Sequence, residues 1–255
     1  MNPKISSWKN KRVWIIGASS GIGAELALQL LAHGARVALS ARNLSALTQL
    51  AQSYDAAVVL PLDVTQADQV QAASDQLQQQ WQGIDLVCVV AGVYNEMRAD
   101  TFNLDVANAL IDVNLRGVFN CLAATLPTLL KQKNGGIAIV SSVAGLSGLP
   151  KALIYGPTKA ALINLCESLY IDLHPRGNAV YLINPGFVAT SATANNDFAM
   201  PALISAEVAA KKIIVGFEQG EFHIHFPKRF TNWLRLARLL PYAWYFKLIH
   251  KVTGL

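Results

Sequence analysis

Tyr155 and Lys159 stand four residues apart, and Ser142 lies thirteen residues before the tyrosine. On a helix, positions i and i+4 share a face, so a phenol and an ammonium at this spacing can address the same point. A phenol titrates near ~10 and is a poor proton donor or acceptor at neutral pH. A lysine cation beside it favours the phenolate and draws that value toward the range where general acid–base work is efficient. A hydroxyl from a separate segment, Ser142, would then hold a carbonyl oxygen within reach of the phenol.

A second group of residues suits a bulky anion. Val13-Trp14-Ile15-Ile16 is an apolar run of strand length. It passes into the turn Gly17-Ala18-Ser19-Ser20-Gly21-Ile22-Gly23, and the turn passes into Ala24 to Leu31, made of good helix formers. Glycines let the backbone turn sharply and approach a ligand without a side chain in between. The new helix offers free N–H groups and the positive end of its dipole, a setting for a pyrophosphate. The spacing is G-x-x-x-G-x-G rather than the G-x-G-x-x-G of the better-known dinucleotide fingerprint.

With Gly17-x-x-x-Gly21-Ile22-Gly23, Asn114, Ser142, Tyr155-x-x-x-Lys159 and Pro185-Gly186-x-x-x-Thr190 in this order, the chain resembles the short-chain dehydrogenase/reductase family from about residue 10 to about residue 226. The resemblance implies an NAD(P)-dependent oxidoreductase on one Rossmann-type domain. It implies Tyr155 as acid/base, and Lys159 as the group that tunes the phenol and holds the nicotinamide ribose. Ser142 would orient the substrate oxygen, and Asn114 would hold a water in a proton relay behind the lysine. Asp63-Val64 matches the family's adenine contact and Ala91-Gly92 its backbone passage under the cofactor. Gly17, Ser19, Ser20, Gly21, Ile22 and Gly23 would border the cofactor at one end, and Pro185, Gly186, Val188 and Thr190 at the other. Two positions depart from the family pattern. Ile16 stands where Thr is usual, and Val89-Val90 where Asn-Asn is usual. Replacing both partners of a buried hydrogen bond can be nearly neutral, so a polar tie between strands is expected to have become an apolar contact.

Cofactor choice follows from the second strand, which ends Leu39-Ser40-Ala41-Arg42. A fold that prefers NAD places a carboxylate near this point for the ribose 2′-hydroxyl, whereas an arginine accommodates a 2′-phosphate. No Asp or Glu follows the strand, and Arg42, Ser19 and Ser20 can face the phosphate. NADP(H) is therefore the expected cofactor, with NAD(H) also admissible.

These residues need a scaffold. The chain has 255 residues, 53% hydrophobic and 15% charged, which excludes disorder and allows a sizeable core. Strands are expected near 12–16, 35–40, 57–60, 84–90, 136–141, 177–183 and 222–226. Helices are expected near 22–33, 43–53, 66–82, 104–131, 152–173 and 205–219. The alternation predicts an α/β, doubly wound parallel sheet covered on both faces. Pro157 is tolerated if the helix starts close to Tyr155 or bends there. Cys88, Cys121 and Cys166 read as reduced core residues of a cytoplasmic protein, and neither they nor the histidines have metal-ligand spacing. No signal peptide or uninterrupted span of ~18 or more apolar residues is evident.

Residues 1–227 are expected to form the dinucleotide-binding domain, with a substrate loop at about 187–204. Tyr94, Leu149, Phe187, Phe198 and Met200 fall near the expected pocket and point to an apolar carbonyl or alcohol substrate. The segment 228–255 reads as a basic amphipathic tail. Residues 222–255 hold Lys228, Arg229, Arg235, Arg238, Lys247 and Lys251 and no acid, a charge of +6 in a chain of net +5. The pI of about 9.1 is thus a property of the tail, which weakens any nucleic-acid reading. Phe230, Trp233, Leu234, Ala237 and Leu240 cluster on one helical face. Lys228, Thr231, Asn232, Arg235 and Arg238 cluster on another, though Leu239 breaks that face, and Pro241 interrupts. Such a helix either docks on the body or a partner subunit, or lies on a membrane surface. A homo-oligomer through the helices near 104–131 and 152–173 is expected. The rival functions are a catalytically silent dinucleotide-binding regulator and a lipid-surface binding protein.

Overall fold

Strands apolar on both faces demand cover on both faces. The computed structural model supplies it, describing residues 1–191, 193–194 and 200–254. The elements run β1 (Arg12–Ile16), α1 (Gly21–Ala32), β2 (Arg36–Ser40), α2 (Leu44–Ala51), β3 (Ala57–Val59), α3 (Ala67–Trp81) and β4 (Leu86–Val89). Then come α4 (Leu104–Ile111), α5 (Gly117–Gln132), β5 (Gly136–Val140), α6 (Tyr155–Leu173) and β6 (Ala179–Pro185). Two short strands, β7 (Val188–Ala189) and β8 (Ile204–Ser205), precede α7 (Ala206–Gln219) and β9 (His223–Phe226). The chain closes with α8 (Lys228–Ala237) and α9 (Tyr242–Thr253).

Seven strands form one parallel sheet in the order β3-β2-β1-β4-β5-β6-β9. The chain order reverses between β1 and β4, which is where open sheets of this kind place their ligand crevice. Trp14, Ile16, Val87, Val89 and Ile139 point to one side and pack with Leu77, Cys121 and Leu162 of α3, α5 and α6. Val13, Ile15, Leu39, Cys88 and Ile183 point to the other and pack with Leu26 and Leu30 of α1 and with Ile213 and Phe217 of α7. Each large apolar side chain so buried contributes roughly 1.5–3 kcal/mol. Ile16 lies opposite Val89 in the β1–β4 register, both in the same cluster. An apolar contact therefore joins these two strands at the positions that depart from the family pattern. The three cysteines are free and buried, and burial pushes their thiols up.

The helix expected near 104–131 is interrupted rather than regular. Asp112–Arg116 forms a π turn between α4 and α5. From Leu104 to Gln132 the segment is long enough to cross a membrane and holds an 18-residue window with a mean hydropathy of 1.3. That mean tolerates Asn114, Asn120 and Thr125, which is why no uninterrupted apolar run shows in the sequence. In the fold 44% of the apolar window is buried, and Val118, Cys121, Leu122 and Leu129 pack on the sheet side.

The tail breaks at Pro241, and its first helix docks. Thr231, Leu234 and Ala237 of α8 are buried, and Leu234 joins the cluster beside α3, α5 and α6. His225 of β9 holds α8 from both ring nitrogens. Its Nδ1 lies 2.6 Å from Thr231 Oγ1, and its Nε2 accepts from the Arg235 guanidinium at 3.1 Å. Burial and the neighbouring cations lower the His225 pKa, and burial first pushes that of adjacent His223 down to about 4, so both rings are neutral. In α9, Tyr245 and Ile249 are buried, and the Tyr245 hydroxyl donates to the Gly148 carbonyl at 2.7 Å. The apolar face read from the sequence is therefore turned inward, except for Trp233, which is 36% exposed.

Candidate functional site

The glycine turn occupies the C-terminal end of β1. Gly17 has φ +101°, and a Cβ there would lie 2.5 Å from Ala91 N, where the end of β4 passes beneath it. A Cβ on Gly23 would lie 2.0 Å from the Gly17 carbonyl, so the first turn of α1 closes against β1 only with glycine. Ser20, at the N-cap of α1, makes no side-chain cap. Its hydroxyl and the first N–H groups of the helix therefore face the crevice rather than each other. This is the bare backbone cradle that a pyrophosphate requires.

Across the crevice, Ser142 follows β5 and accepts from Ala144 N–H at 3.1 Å at the start of a short 3-10 turn, Val143–Gly145. Tyr155 opens α6, with Pro157 harmless in the first turn. The Ser142 and Tyr155 hydroxyls are hydrogen-bonded, a contact that favours the phenolate. Tyr94 packs edge-on against Tyr155, ring centroids 5.0 Å apart. Lys159 lies one turn deeper, buried. Its Nζ is 5.6 Å from the Tyr155 ring centroid and donates to the Val140 carbonyl at 3.0 Å. Ser141 Oγ donates to the Lys159 carbonyl at 2.7 Å, which fixes α6 to the end of β5.

The electrostatics differ from the simple reading of a lysine-depressed phenol. Burial pushes the Tyr155 phenol up to about 12, with Ser142 opposing and Tyr94 adding to the rise. The same burial brings Lys159 down to about 8. Desolvation outweighs the expected lysine effect here, because the ammonium gives its hydrogen bond to a backbone carbonyl rather than to the phenol. At neutral pH the phenol is therefore protonated.

Asn114 sits in the π turn, fully buried. Its Oδ1 accepts from Val93 N–H at 2.8 Å, and its Nδ2 donates to the Val93 carbonyl at 3.0 Å and to Thr158 Oγ1 at 3.3 Å. The amide thus ties the segment after β4 to α6, behind Lys159. It does not itself line the crevice.

A cavity of about 530 Å³ joins these parts. Ser142, Tyr155 and Lys159 line one side; Gly17, Ser19, Ser20, Gly21, Ile22 and Gly23 line another. Arg42, Asp63 and Val64 lie at one end, and Ala91 and Gly92 along the floor. Pro185, Gly186, Val188 and Thr190 complete the rim. Arg42 is close enough to Asp63 to help lower its pKa, after the Thr65 backbone hydrogen bond that dominates. Of the expected apolar pocket residues, Tyr94, Leu149 and Phe187 line the cavity and Met200 does not. Phe198 and residues 195–197 and 199 of the expected loop lie outside the described residues, as does Ala192.

Two contributors were not evident from the motifs. Phe230 of α8 lines the cavity, its ring 5.7 Å from Phe187 and its edge against Gly186. It belongs to the apolar face of the tail, a signal that marks a docked helix without saying on what. Thr193 donates from Oγ1 to the Val188 carbonyl at 2.7 Å and accepts from Thr190 N–H at 3.1 Å, bracing the rim. With β7 paired to β8, both ends of the 190–203 stretch are anchored.

Comparison with known proteins gives a consistent picture. The family model described as short chain dehydrogenase matches residues 11–200. The chain is 36% identical over 231 residues to a protein of Myxococcus xanthus named an uncharacterized oxidoreductase, covering 89% of this chain and 91% of that one. Its fold is similar to a short-chain dehydrogenase from Streptomyces avermitilis, with a TM-score of 0.82 at 22% identity over 96% of this chain and 98% of the other. It is also similar to ElxO, solved with NADP bound, with a TM-score of 0.76 at 24% identity over 85% and 97% of the two chains.

Proposed function

We propose that this chain, which belongs to the short-chain dehydrogenase family, is an NADP(H)-preferring oxidoreductase that interconverts an apolar carbonyl compound and its secondary alcohol. The observation that carries the reading is the meeting of two constellations on one cavity. The hydrogen-bonded Ser142 and Tyr155 hydroxyls face the uncapped N-terminus of α1. The residues present fit a dinucleotide. Gly17 and Gly23 leave the room that side chains would fill, the α1 N–H groups suit the pyrophosphate, and Arg42, Ser19 and Ser20 suit a 2′-phosphate. When bound, the nicotinamide supplies or accepts the hydride.

The remaining work belongs to the side chains. In reduction, the Ser142 hydroxyl donates a hydrogen bond to the carbonyl oxygen and holds it beside Tyr155. The phenol O–H gives its proton to that oxygen as negative charge develops there, and it regains a proton from the side of Lys159. Oxidation reverses each transfer. The protonated phenol present at neutral pH is the form that the reduction uses. Tyr94, Leu149, Phe187 and Phe230 give the substrate end an apolar lining, which supports an apolar ketone, aldehyde or secondary alcohol. Turnover of a panel of such compounds with NADPH and NADP⁺ tests the reading. Cofactor binding without turnover on any of them would favour a silent dinucleotide-binding protein instead.

Cofactor preference has its own test. Arg42→Asp is expected to raise the KM for NADPH by about tenfold or more, since a charge-assisted hydrogen bond is exchanged for repulsion. The KM for NADH should move far less. An unchanged ratio of the two would remove Arg42 from the 2′-phosphate site.

The proposal includes a homo-oligomer. Phe102, Leu104, Ile111 and Phe119 are exposed on and just before α4 and α5, and Leu153 and Ile171 on and just before α6. A two-fold assembly would cover the same patch on both subunits. Light scattering at micromolar concentration should give at least twice the mass of 27.5 kDa. A monomeric mass would refute it.

A further inference from the structure

We propose that α8 and α9 form a docking surface for an anionic lipid bilayer. The inward faces of both helices are already occupied, so what matters is what they leave outside. Leu236, Leu239, Tyr242 and Trp244 are 67%, 79%, 80% and 66% exposed, and Phe246 and Val252 are more than half exposed. On α8 the outward arc carries Leu236 between Arg229 on one side and Lys228 and Arg235 on the other, and Leu239 stands exposed in the turn beyond Ala237. On α9 it carries Lys247 and Lys251 between Trp244 and Phe246. Arg229, Arg238, Lys247 and Lys251 form no ion pair with any described residue.

The mixture selects the partner. A bilayer surface takes cations at its headgroups and Trp, Tyr and Leu at the boundary just below. A nucleic acid would use the cations but not Leu236, Leu239 and Val252. A second copy of the same surface would set Arg229, Arg238, Lys247 and Lys251 against like charges. The surface is also continuous with the cavity: Phe230 lines it, and Leu149 both lines it and packs against the α8–α9 cluster of Ala237, Tyr245 and Ile249. An apolar substrate dissolved in the bilayer would then reach the cavity past Phe230. That entry role rests on the apolar-substrate reading above; the docking does not.

The experiment is co-sedimentation of the full chain with phosphatidylcholine vesicles and with phosphatidylcholine–phosphatidylglycerol vesicles, at low and high salt. The full chain should pellet with the anionic vesicles at low salt, less at high salt, and little with phosphatidylcholine alone, with a blue shift of tryptophan emission. Charge reversal by Arg238→Glu with Lys247→Glu should weaken anionic binding by about thirtyfold or more. Leu239→Ser with Trp244→Ser should also weaken it and abolish the blue shift; these side chains are exposed, so thermal unfolding should be unchanged. A full chain that stays in the supernatant with anionic vesicles at low salt overturns the proposal. So does binding that survives charge reversal. Capture of a single-stranded oligonucleotide that is lost on charge reversal but indifferent to Leu239→Ser would assign the surface to nucleic acid and also overturn it. None of these measurements needs cofactor or substrate, so a failed turnover screen leaves the docking test intact.

Discussion

Tyr155→Phe is expected to lower kcat by about 10²- to 10⁴-fold, the range that a positioned acid/base supplies, while NADPH affinity stays nearly unchanged. The substitution keeps the ring that packs edge-on against Tyr94 and removes only the transferable proton and its hydrogen bond to Ser142. Steady-state kinetics on a soluble ketone, paired with a fluorescence titration of NADPH, separate the two effects. A loss of affinity as large as the loss of kcat would make Tyr155 part of the cofactor site and not the acid/base.

Lys159→Met should abolish turnover and yet stabilise the chain at pH 7. Burial lowers Lys159 from 10.5 to about 8 in the folded state. Between those two values the unfolded chain binds more protons than the folded one, so stability rises with pH across this window. Below it the folded chain carries a buried cation at a cost on the order of 3 kcal/mol. Methionine removes that cost but leaves the Val140 carbonyl without its donor, which returns about 1 kcal/mol. The net gain of ~2 kcal/mol corresponds to a rise in Tm of roughly 4–8 °C for a chain of this size. The difference between variant and parent should shrink as pH goes from 7 toward 10, because the parent loses its buried charge. Thermal unfolding at pH 7 and pH 9.5 measures both points. A variant less stable than the parent at pH 7 would mean that the hydrogen bond to Val140 outweighs the desolvation.

Much of this was legible in the sequence because local chemistry and global fold agree there. The run Val13 to Gly23 carries its own strand, turn and helix signals. The seven strand positions follow from apolar runs, and the i,i+4 spacing of Tyr155 and Lys159 is enough to place both on one helix face. What was not legible depends on contacts distant in the chain. The protonation of Tyr155 is decided by how deeply the fold buries the phenol itself, and no motif reports that depth. The π turn at Asp112–Arg116 has no distinctive composition. It follows from the need to aim the Asn114 amide at Val93 and Thr158 while α5 keeps its apolar stripe on the sheet. The inward face of α8 looked equally suited to lipid, because an amphipathic helix does not say which apolar medium it meets. Leu239, which disturbs the basic face in the sequence, is among the residues left outside.

The attachment of α8 to the sheet through His225 has a consequence for how the tail responds to its surroundings. Arg235 is held by a neutral imidazole and not by a carboxylate, and Thr231 by the same ring. The one ion pair nearby among the described residues, Lys228 with Glu221, is long at 3.6 Å and largely exposed on the lysine side. Dissolved ions weaken attraction between charges in water but have little hold on a hydrogen bond to an uncharged, buried ring. Ionic strength therefore acts on one side of this helix and spares the other. A salt concentration that frees the outer face from an anionic surface leaves the inner face seated, and Phe230 with it, at the wall of the cavity.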